Sequence, residues 1–286
     1  MNISEILKKA TEILREGGIV EARREANSLL AFALGKDRTF LIAHSEYELS
    51  DEEILRFQAI LERRKHRDPF QYIVGTQEFY GLDFIVTNDV LIPRPETELI
   101  VENALEMLKT AENSRFLEIG VGSGCISVSI LHEAKTATAI AVDVSEKALQ
   151  IALKNADKHQ VSDRLELKIS NIFSEIKTEK FDLIVSNPPY IDERDFAKLQ
   201  PEVRDFEPEF ALTDGENGLS IIEKIIKDAP QFLKSKGFLL IEIGFNQSDE
   251  VRKICSPEVW QSIEFLSDLQ GIPRTLKARL SKKSKK

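Results

Sequence analysis

Apolar residues recur three and four positions apart through the first part of the chain, the spacing of one helix face. Ile3, Ile6, Leu7, Ala10, Ile13 and Leu14 trace such a face, and Gly17-Gly18 closes it as a C-cap would. Ala22, Ala26, Leu29, Leu30, Ala33 and Leu34 repeat the pattern up to Gly35. Ser50-Asp51-Glu52-Glu53 has the form of a capping box and precedes Ile54, Phe57, Ile60 and Leu61 on one face. Residues 1–75 therefore read as a small all-α domain. From 76 to 90 the period drops to two: Phe79-Tyr80, Gly81, then Leu82, Phe84 and Val86 predict a β-hairpin linker with glycine at its turn. The domain joint is placed there.

From 91 to 286 short aliphatic runs at 115–119, 139–142, 165–169, 181–185 and 238–243 alternate with helical patterns such as 145–158 and 218–234. Strand–helix alternation predicts a parallel sheet covered by helices on both faces, an α/β, Rossmann-like domain. The runs at 261–266 and 275–280, joined by Gly271-Ile272-Pro273, predict a terminal hairpin. The lysine-rich end from Ser281 to Lys286 is expected to fray.

Composition narrows the function classes. With 42% hydrophobic and 30% charged residues the chain can bury a core and remain soluble. Its apolar runs fall well short of the roughly 18 residues of a membrane span, and the N-terminus lacks a signal-peptide apolar region. Two cysteines, Cys125 and Cys255, are too few for a disulfide scaffold, so reduced thiols in a cytoplasmic protein are expected. The net charge of −9 argues against a protein that lives by gripping phosphates; direct nucleic-acid binding is not expected. His44, His66, His132 and His159 show no metal-ligand spacing with the cysteines, and no metal is expected. In the run Arg63-Arg64-Lys65-His66-Arg67 two readings stand: favourable charge at a helix C-terminus, or a contact for an acidic partner.

The chemistry begins at Glu118-Ile-Gly120-Val121-Gly122-Ser123-Gly124, where the first strand of the α/β part turns into a helix. Glycines there let backbone approach a ligand, and the helix start offers free N–H groups. A dinucleotide and a nucleoside such as S-adenosyl-L-methionine both suit such a loop. The dinucleotide fingerprint G-x-G-x-x-G needs glycine at 125, which is cysteine. Asp143, with Val144 beside it, ends the second strand where a carboxylate can accept both ribose hydroxyls. Asn171 and Ile172 end the third, where a small polar and an apolar residue can edge the adenine or serve as ordinary loop and core.

The fourth strand runs into Asn187-Pro188-Pro189-Tyr190. An amide or aromatic-amine nitrogen is a poor nucleophile because its lone pair is delocalised. The Asn187 side-chain carbonyl and the Pro188 main-chain carbonyl can each accept one of its N–H groups and so aim it at an activated methyl carbon. Prolines stiffen the carbonyls by fixing φ, and Tyr190 offers a flat face for a planar group. Glu242 points toward the site edge or serves the structure; the sequence leaves both open.

The glycine loop and Asn187-Pro-Pro-Tyr190 together resemble class I S-adenosylmethionine-dependent methyltransferases that modify amino nitrogens of adenine, guanine or protein glutamine. Leu91-Ile-Pro-Arg94-Pro-Glu-Thr97-Glu98, the segment from Phe206 to Leu219 and the preceding helical domain and hairpin narrow the resemblance to the HemK-like family, the peptide chain release factor glutamine N5-methyltransferases. That resemblance implies a seven-stranded methyltransferase sheet and a helical domain that helps grip a class 1 release factor. It further implies a cofactor site at Gly120 to Gly124 and Asp143, with Arg94 and Thr97 in or beside it, and an acceptor clamp at Asn187 to Tyr190. A monomer is expected. Asn171-Ile172 departs from the acidic–aromatic pair common in relatives. A nucleic-acid N-methyltransferase using the same Asn-Pro-Pro-Tyr chemistry is the alternative.

Overall fold

The computed structural model describes residues 1–109 and 113–282; the lysine-rich end at 283–286 lies outside them. In chain order the first elements are α1 (Ile3–Glu16), α2 (Ala22–Leu34), α3 (Arg38–Ala43), α4 (Asp51–Lys65), α5 (Phe70–Val74), β1 (Thr76–Phe79) and β2 (Leu82–Ile85). Then come α6 (Glu98–Leu108), β3 (Arg115–Ile119), α7 (Cys125–Glu133), β4 (Thr138–Asp143), α8 (Glu146–Lys158), β5 (Leu165–Ile169) and β6 (Phe181–Ser186). The last are α9 (Glu193–Phe196), α10 (Pro201–Arg204), α11 (Ser220–Asp228), β7 (Leu233–Glu242), α12 (Ser248–Ile254), β8 (Trp260–Ser267) and β9 (Pro273–Leu280).

Two compact units result: residues 1–76 with 200–206, and residues 77–199 with 207–286. In the helical unit, α1, α2 and α4 bury Leu14, Leu29, Leu30 and Phe57 against one another. The capping box forms: Ser50 accepts from the Glu53 N–H, and Glu53 reaches back to the Ser50 N–H at 2.8 Å. Gly35 closes α2 in the left-handed region at φ 62°. The short α3 and α5 carry too few apolar positions to show a period, and sequence reasoning missed both. Within the basic run at the end of α4, Arg64 and Arg67 form an internal strut. Arg64, 5% exposed, bonds Glu25 at 2.5 Å and Glu202 at 3.0 Å, and Arg67 bonds Glu202 at 2.6 Å. Residues 200–206, which carry Glu202, thus belong with the helices rather than with the chain segments on either side.

In the larger unit seven strands form one sheet in the order β5-β4-β3-β6-β7-β9-β8. β5, β4, β3, β6 and β7 run parallel, and β9 is antiparallel to both β7 and β8. Side chains alternate between two buried layers, as the strand period of two requires. Phe116, Ala139, Ala141, Leu183, Val185 and Leu240 face the layer of α6, α7 and α8. Leu117, Ile140, Val142, Ile184, Leu239 and Ile241 face that of α11 and α12. The predicted helix at 218–234 is shorter: it stops at Asp228, and Pro230, with no N–H to continue it, hands over to β7 at Leu233. The hairpin β1–β2 turns through Tyr80 (φ 52°) and Gly81 (φ 73°), the two positive φ values of a type I′ turn. It does more than link: Phe79 and Phe84, both 1% exposed or less, join the α6–α8 layer. Among the described residues no helix is long and apolar enough to cross a membrane.

Candidate active site

The strand order reverses between β3 and β6, and open α/β sheets bind ligands at such a switch point beyond the carboxyl ends of the strands. Ile119 and Ser186 sit in register there, and the Ser186 hydroxyl donates to the Ile119 carbonyl at 2.8 Å. The glycine loop and the Asn187-Pro-Pro-Tyr190 loop therefore leave the sheet side by side. A Cβ placed on Gly120 would stand 3.8 Å from the Asn187 carbonyl. Strand parity does the rest. Glu118 continues the face of Phe116, Asp143 that of Ala141, Asn187 that of Val185 and Glu242 that of Leu240. All four polar groups emerge on the α6 side of the sheet at its carboxyl end.

A cleft opens at this point. Its floor is Glu118, Gly120, Val121, Gly122, Ser123, Cys125 and Asp143; Arg94, Thr97, Asn187, Pro189 and Phe210 form walls. Gly120, Gly122 and Gly124 all have positive φ, and a Cβ on Gly124 would press to 3.2 Å against Ala152. The loop's third glycine therefore lets α7 pack on α8. Asn155, fully buried on α8, sutures this loop to the hairpin by donating to the Ser123 and Ile85 carbonyls at 2.8 and 2.9 Å.

Asp143 is fixed by main-chain donors: Gly122 N–H to Oδ2 at 3.0 Å and Ser145 N–H to Oδ1 at 2.9 Å. Burial raises its pKa, and these amides oppose the rise. Glu118 accepts from the Ser127 N–H at 2.9 Å, and burial pushes its carboxyl up to about 8. Burial likewise raises the Cys125 thiol, the inert state of a packed cysteine.

On the opposite wall the groups are held by side chains. Asn187 Nδ2 donates to Thr97 Oγ1 at 3.1 Å, and that hydroxyl donates to Glu242 Oε2 at 2.7 Å. The Tyr190 hydroxyl donates to Glu242 Oε1 at 3.2 Å. Glu242 is 2% exposed, and burial raises its pKa to about 7. The Tyr190 ring is half-buried against the α11–α12 layer and does not line the cleft. Its place in the structure is that of an anchor, with the flat face expected for stacking packed away. Its carbonyl accepts from Gln247 Nε2 at 2.9 Å, and a Cβ on Gly218 would come within 2.1 Å of that oxygen. Asp214 shapes the Gly218 turn by accepting from the N–H groups of Glu216, Gly218 and Ser220, each at 2.9 Å. The two motifs flanking the cleft meet through Glu207. Its carboxylate accepts from the Ile92 N–H at 3.1 Å and from Arg94 at 2.5 Å, which locks the 91–94 wall to the Pro208–Phe210 wall.

Of the residues singled out in the sequence, Arg94, Thr97, Glu118, Gly120, Val121, Gly122, Ser123, Asp143, Asn187 and Pro189 line one cleft. Pro188 is buried just behind it. Val144, 58% exposed, and Asn171 stand in solvent at the ends of β4 and β5, outside the lining. Ile172, at φ 56°, turns its side chain into the core beside Phe173 and Ile176. It is 7% exposed there. Glu242, Glu207 and Gln247 are the polar groups that sequence reasoning left unassigned or missed. Strand parity was the signal available for Glu242; the other two lie on loops with no period to read.

A seven-stranded sheet with one antiparallel strand, a glycine loop at its switch point and Asn-Pro-Pro-Tyr on the adjoining strand define a class I methyltransferase. Residues 5–75 match the family model described as the PrmC N-terminal domain, and residues 97–201 match the methyltransferase small domain. The chain is 39% identical to a release factor glutamine methyltransferase of Koribacter versatilis, covering 98% of this chain and 99% of the relative. It is 40% identical to one of Geobacter sulfurreducens, covering 97% and 96%. A crystal structure of a methyltransferase from Pyrococcus furiosus shares the fold at 18% identity and TM-score 0.52, covering 71% of this chain and 91% of that one. The chain belongs to the release factor glutamine methyltransferase family.

Proposed function

We propose that the chain transfers the methyl group of S-adenosyl-L-methionine to the side-chain amide N5 of the glutamine in the Gly-Gly-Gln motif of class 1 peptide chain release factors. The observation that carries this reading is the orientation of Asn187. Its Nδ2 is committed to Thr97, and among the described residues no donor is bound to Oδ1. An acceptor-only oxygen, with the main-chain carbonyl of the next residue, Pro188, taken as the second acceptor, suits a group with two N–H donors on one nitrogen, which a primary amide has.

The floor residues fit the cofactor. Each Asp143 oxygen keeps a lone pair beyond its amide bond and can accept a ribose hydroxyl. Glu118 is a buried carboxyl that lines the cleft and suits an ammonium group, with Gly120 and Gly122 offering a backbone surface without side chains. Val144 and Asn171 are available at the exposed strand ends. When bound, S-adenosyl-L-methionine supplies a methyl carbon already activated by the sulfonium charge. Asn187 Oδ1 and the Pro188 carbonyl hold both N–H groups of the glutamine, and this turns the nitrogen lone pair toward that carbon. Positioning of this kind supplies several kcal/mol, and no strong base is required; the proton departs to water. Phe210, 51% exposed on the cleft wall, offers apolar surface to the incoming loop.

The test is incubation with methyl-labelled donor and, in parallel, an intact release factor, its Gly-Gly-Ala variant, and RNA and DNA. Label is expected in the intact release factor alone. Label in nucleic acid, or equal label in the Gly-Gly-Ala variant, overturns the reading.

A further inference from the structure

We infer that Glu242 and Thr97 form a polarity relay that fixes which face of the Asn187 amide meets the substrate. The inference rests on the amide-acceptor reading above and adds two positioning residues to it.

A hydroxyl has one hydrogen to give. The Thr97 hydroxyl gives its hydrogen to Glu242 at 2.7 Å, so toward Asn187 it can act only as acceptor. Only the NH₂ side of Asn187 can satisfy it, at 3.1 Å, and Oδ1 is thereby turned to the cleft. The sense of the whole chain is set at its far end by a carboxylate, which accepts from Thr97 and from Tyr190 and donates to neither. Without that end, Thr97 is free to donate to Oδ1. The amide then rotates half a turn and presents two donors to a substrate nitrogen that also carries two donors. Glu242 is 2% exposed and Thr97 also 2%, so water does not substitute for either partner. The Tyr190 bond serves the same end, because it fixes the second Glu242 oxygen and with it the carboxylate plane.

Protonation of Glu242 should act like its removal. A carboxylic acid can donate to Thr97, which reverses the relay. The charged and titratable groups that face Glu242 are Glu96 beside Thr97, Arg274 on β9, Tyr190 after β6 and Cys125 on α7. Glu242 itself is held near neutrality, at about 7.

The experiment measures kcat at saturating donor on an intact release factor, the donor Kd, and kcat as a function of pH for wild type, Thr97→Val, Thr97→Ser and Glu242→Gln. Thr97→Val keeps the shape and removes the hydroxyl. It is expected to lower kcat about tenfold, the upper range of one net hydrogen bond, with donor Kd within about threefold. Thr97→Ser keeps the hydroxyl and recovers most of the loss. Glu242→Gln can turn either end to Thr97 and so gives an intermediate kcat. Wild-type kcat should fall as pH drops through about 7, and this acid limb should vanish in Thr97→Val and Glu242→Gln. Saturating donor keeps the titration of Glu118, which bears on donor affinity, out of this profile. Thermal unfolding shows that each variant is folded. If Thr97→Val keeps kcat within twofold, if Thr97→Ser does not restore it, or if the acid limb survives in both variants, the relay is wrong. If wild type itself methylates no glutamine, the functional reading fails first.

Discussion

On the β3–β4 side of the cleft the ligand-facing groups are main-chain amides and carboxylates pinned by them; on the β6–β7 side they are side chains pinned by other side chains. Asp143 is held by Gly122 and Ser145 amides, whose positions follow from the strand ends and the glycine turn. Asn187 is held by Thr97 and, behind it, Glu242, which lie on elements far apart in sequence. A backbone-built surface has little freedom to rearrange and suits a ligand that must be gripped in one pose. A side-chain relay carries direction, donor to acceptor, and suits a reaction that needs one nitrogen aimed. The first side should therefore govern donor affinity and the second side turnover.

The largest expected effect breaks that division on the acceptor side. Asn187→Ala should lower kcat by about two to three orders of magnitude, because a hydrogen bond made to the reacting group is worth about 3–4 kcal/mol. The donor Kd, measured by calorimetry, should change little. If turnover survives within threefold, the side-chain half of the cleft does not aim the nitrogen. Asp143→Ala is the converse. Losing two bonds to a charged acceptor, each worth about 1.5–3 kcal/mol, should weaken donor binding by roughly two to four orders of magnitude while kcat at saturation stays within a few-fold. A collapse of kcat with unchanged Kd would erase the distinction between the two sides.

The same contrast explains what could be read in the sequence. The glycine loop, Asp143 and the Asn-Pro-Pro-Tyr loop sit at consecutive strand ends, so local pattern and strand order together put them at one place. Helix faces such as Ile3 to Leu14 and the Ser50 capping box were legible for the same reason: their partners are within a few residues. Glu242 meets Thr97 because β7 lies next to β6 and α6, which Thr97 precedes, packs against both strands, and neither fact leaves a spacing to find. Tyr190 was read by its ring, which can stack, but its hydroxyl and carbonyl are what the fold uses. Ile172 was read by its position at a strand end, yet a core with room for an aliphatic side chain claims it. For Arg64 the sequence offers helix-end charge or a contact for an acidic partner, and the fold pairs it with two acids from distant segments of the chain.

Gly218 sharpens the comparison by stressing the acceptor side through its backbone. An added methyl would stand 2.1 Å from the Tyr190 carbonyl oxygen and 2.7 Å from its carbon, at φ +74°. The proline-stiffened loop cannot yield locally, so the displacement reaches Pro188. Gly218→Ala should cost about 1–3 kcal/mol of stability, the range for overpacking, and lower kcat with donor Kd preserved. Gly215 has the same kind of φ, +75°, but open space around it. Gly215→Ala should therefore cost only about 1–2 kcal/mol and leave kcat alone, which separates backbone strain from loop displacement.

The pH dependence of stability separates the two buried acids that anchor the two sides. Both have folded pKa values raised by burial above the ordinary 4.5: Glu242 to about 7 and Glu118 to about 8. A carboxyl with a raised folded pKa binds its proton in the native state when the unfolded chain has already released it. Its contribution to stability is complete below about 4.5 and is lost as pH rises through the folded value, at about 1.4 kcal/mol per pH unit for each group. Donor-free protein should lose stability from both acids between pH 4.5 and 7, and from Glu118 alone between 7 and 8. Urea unfolding across this range should therefore show a slope that Glu242→Gln reduces only below about pH 7, while Glu118→Gln reduces it up to about 8. If the two variants flatten the same interval, the acids titrate as one unit, and the cleft's two sides are electrostatically a single site.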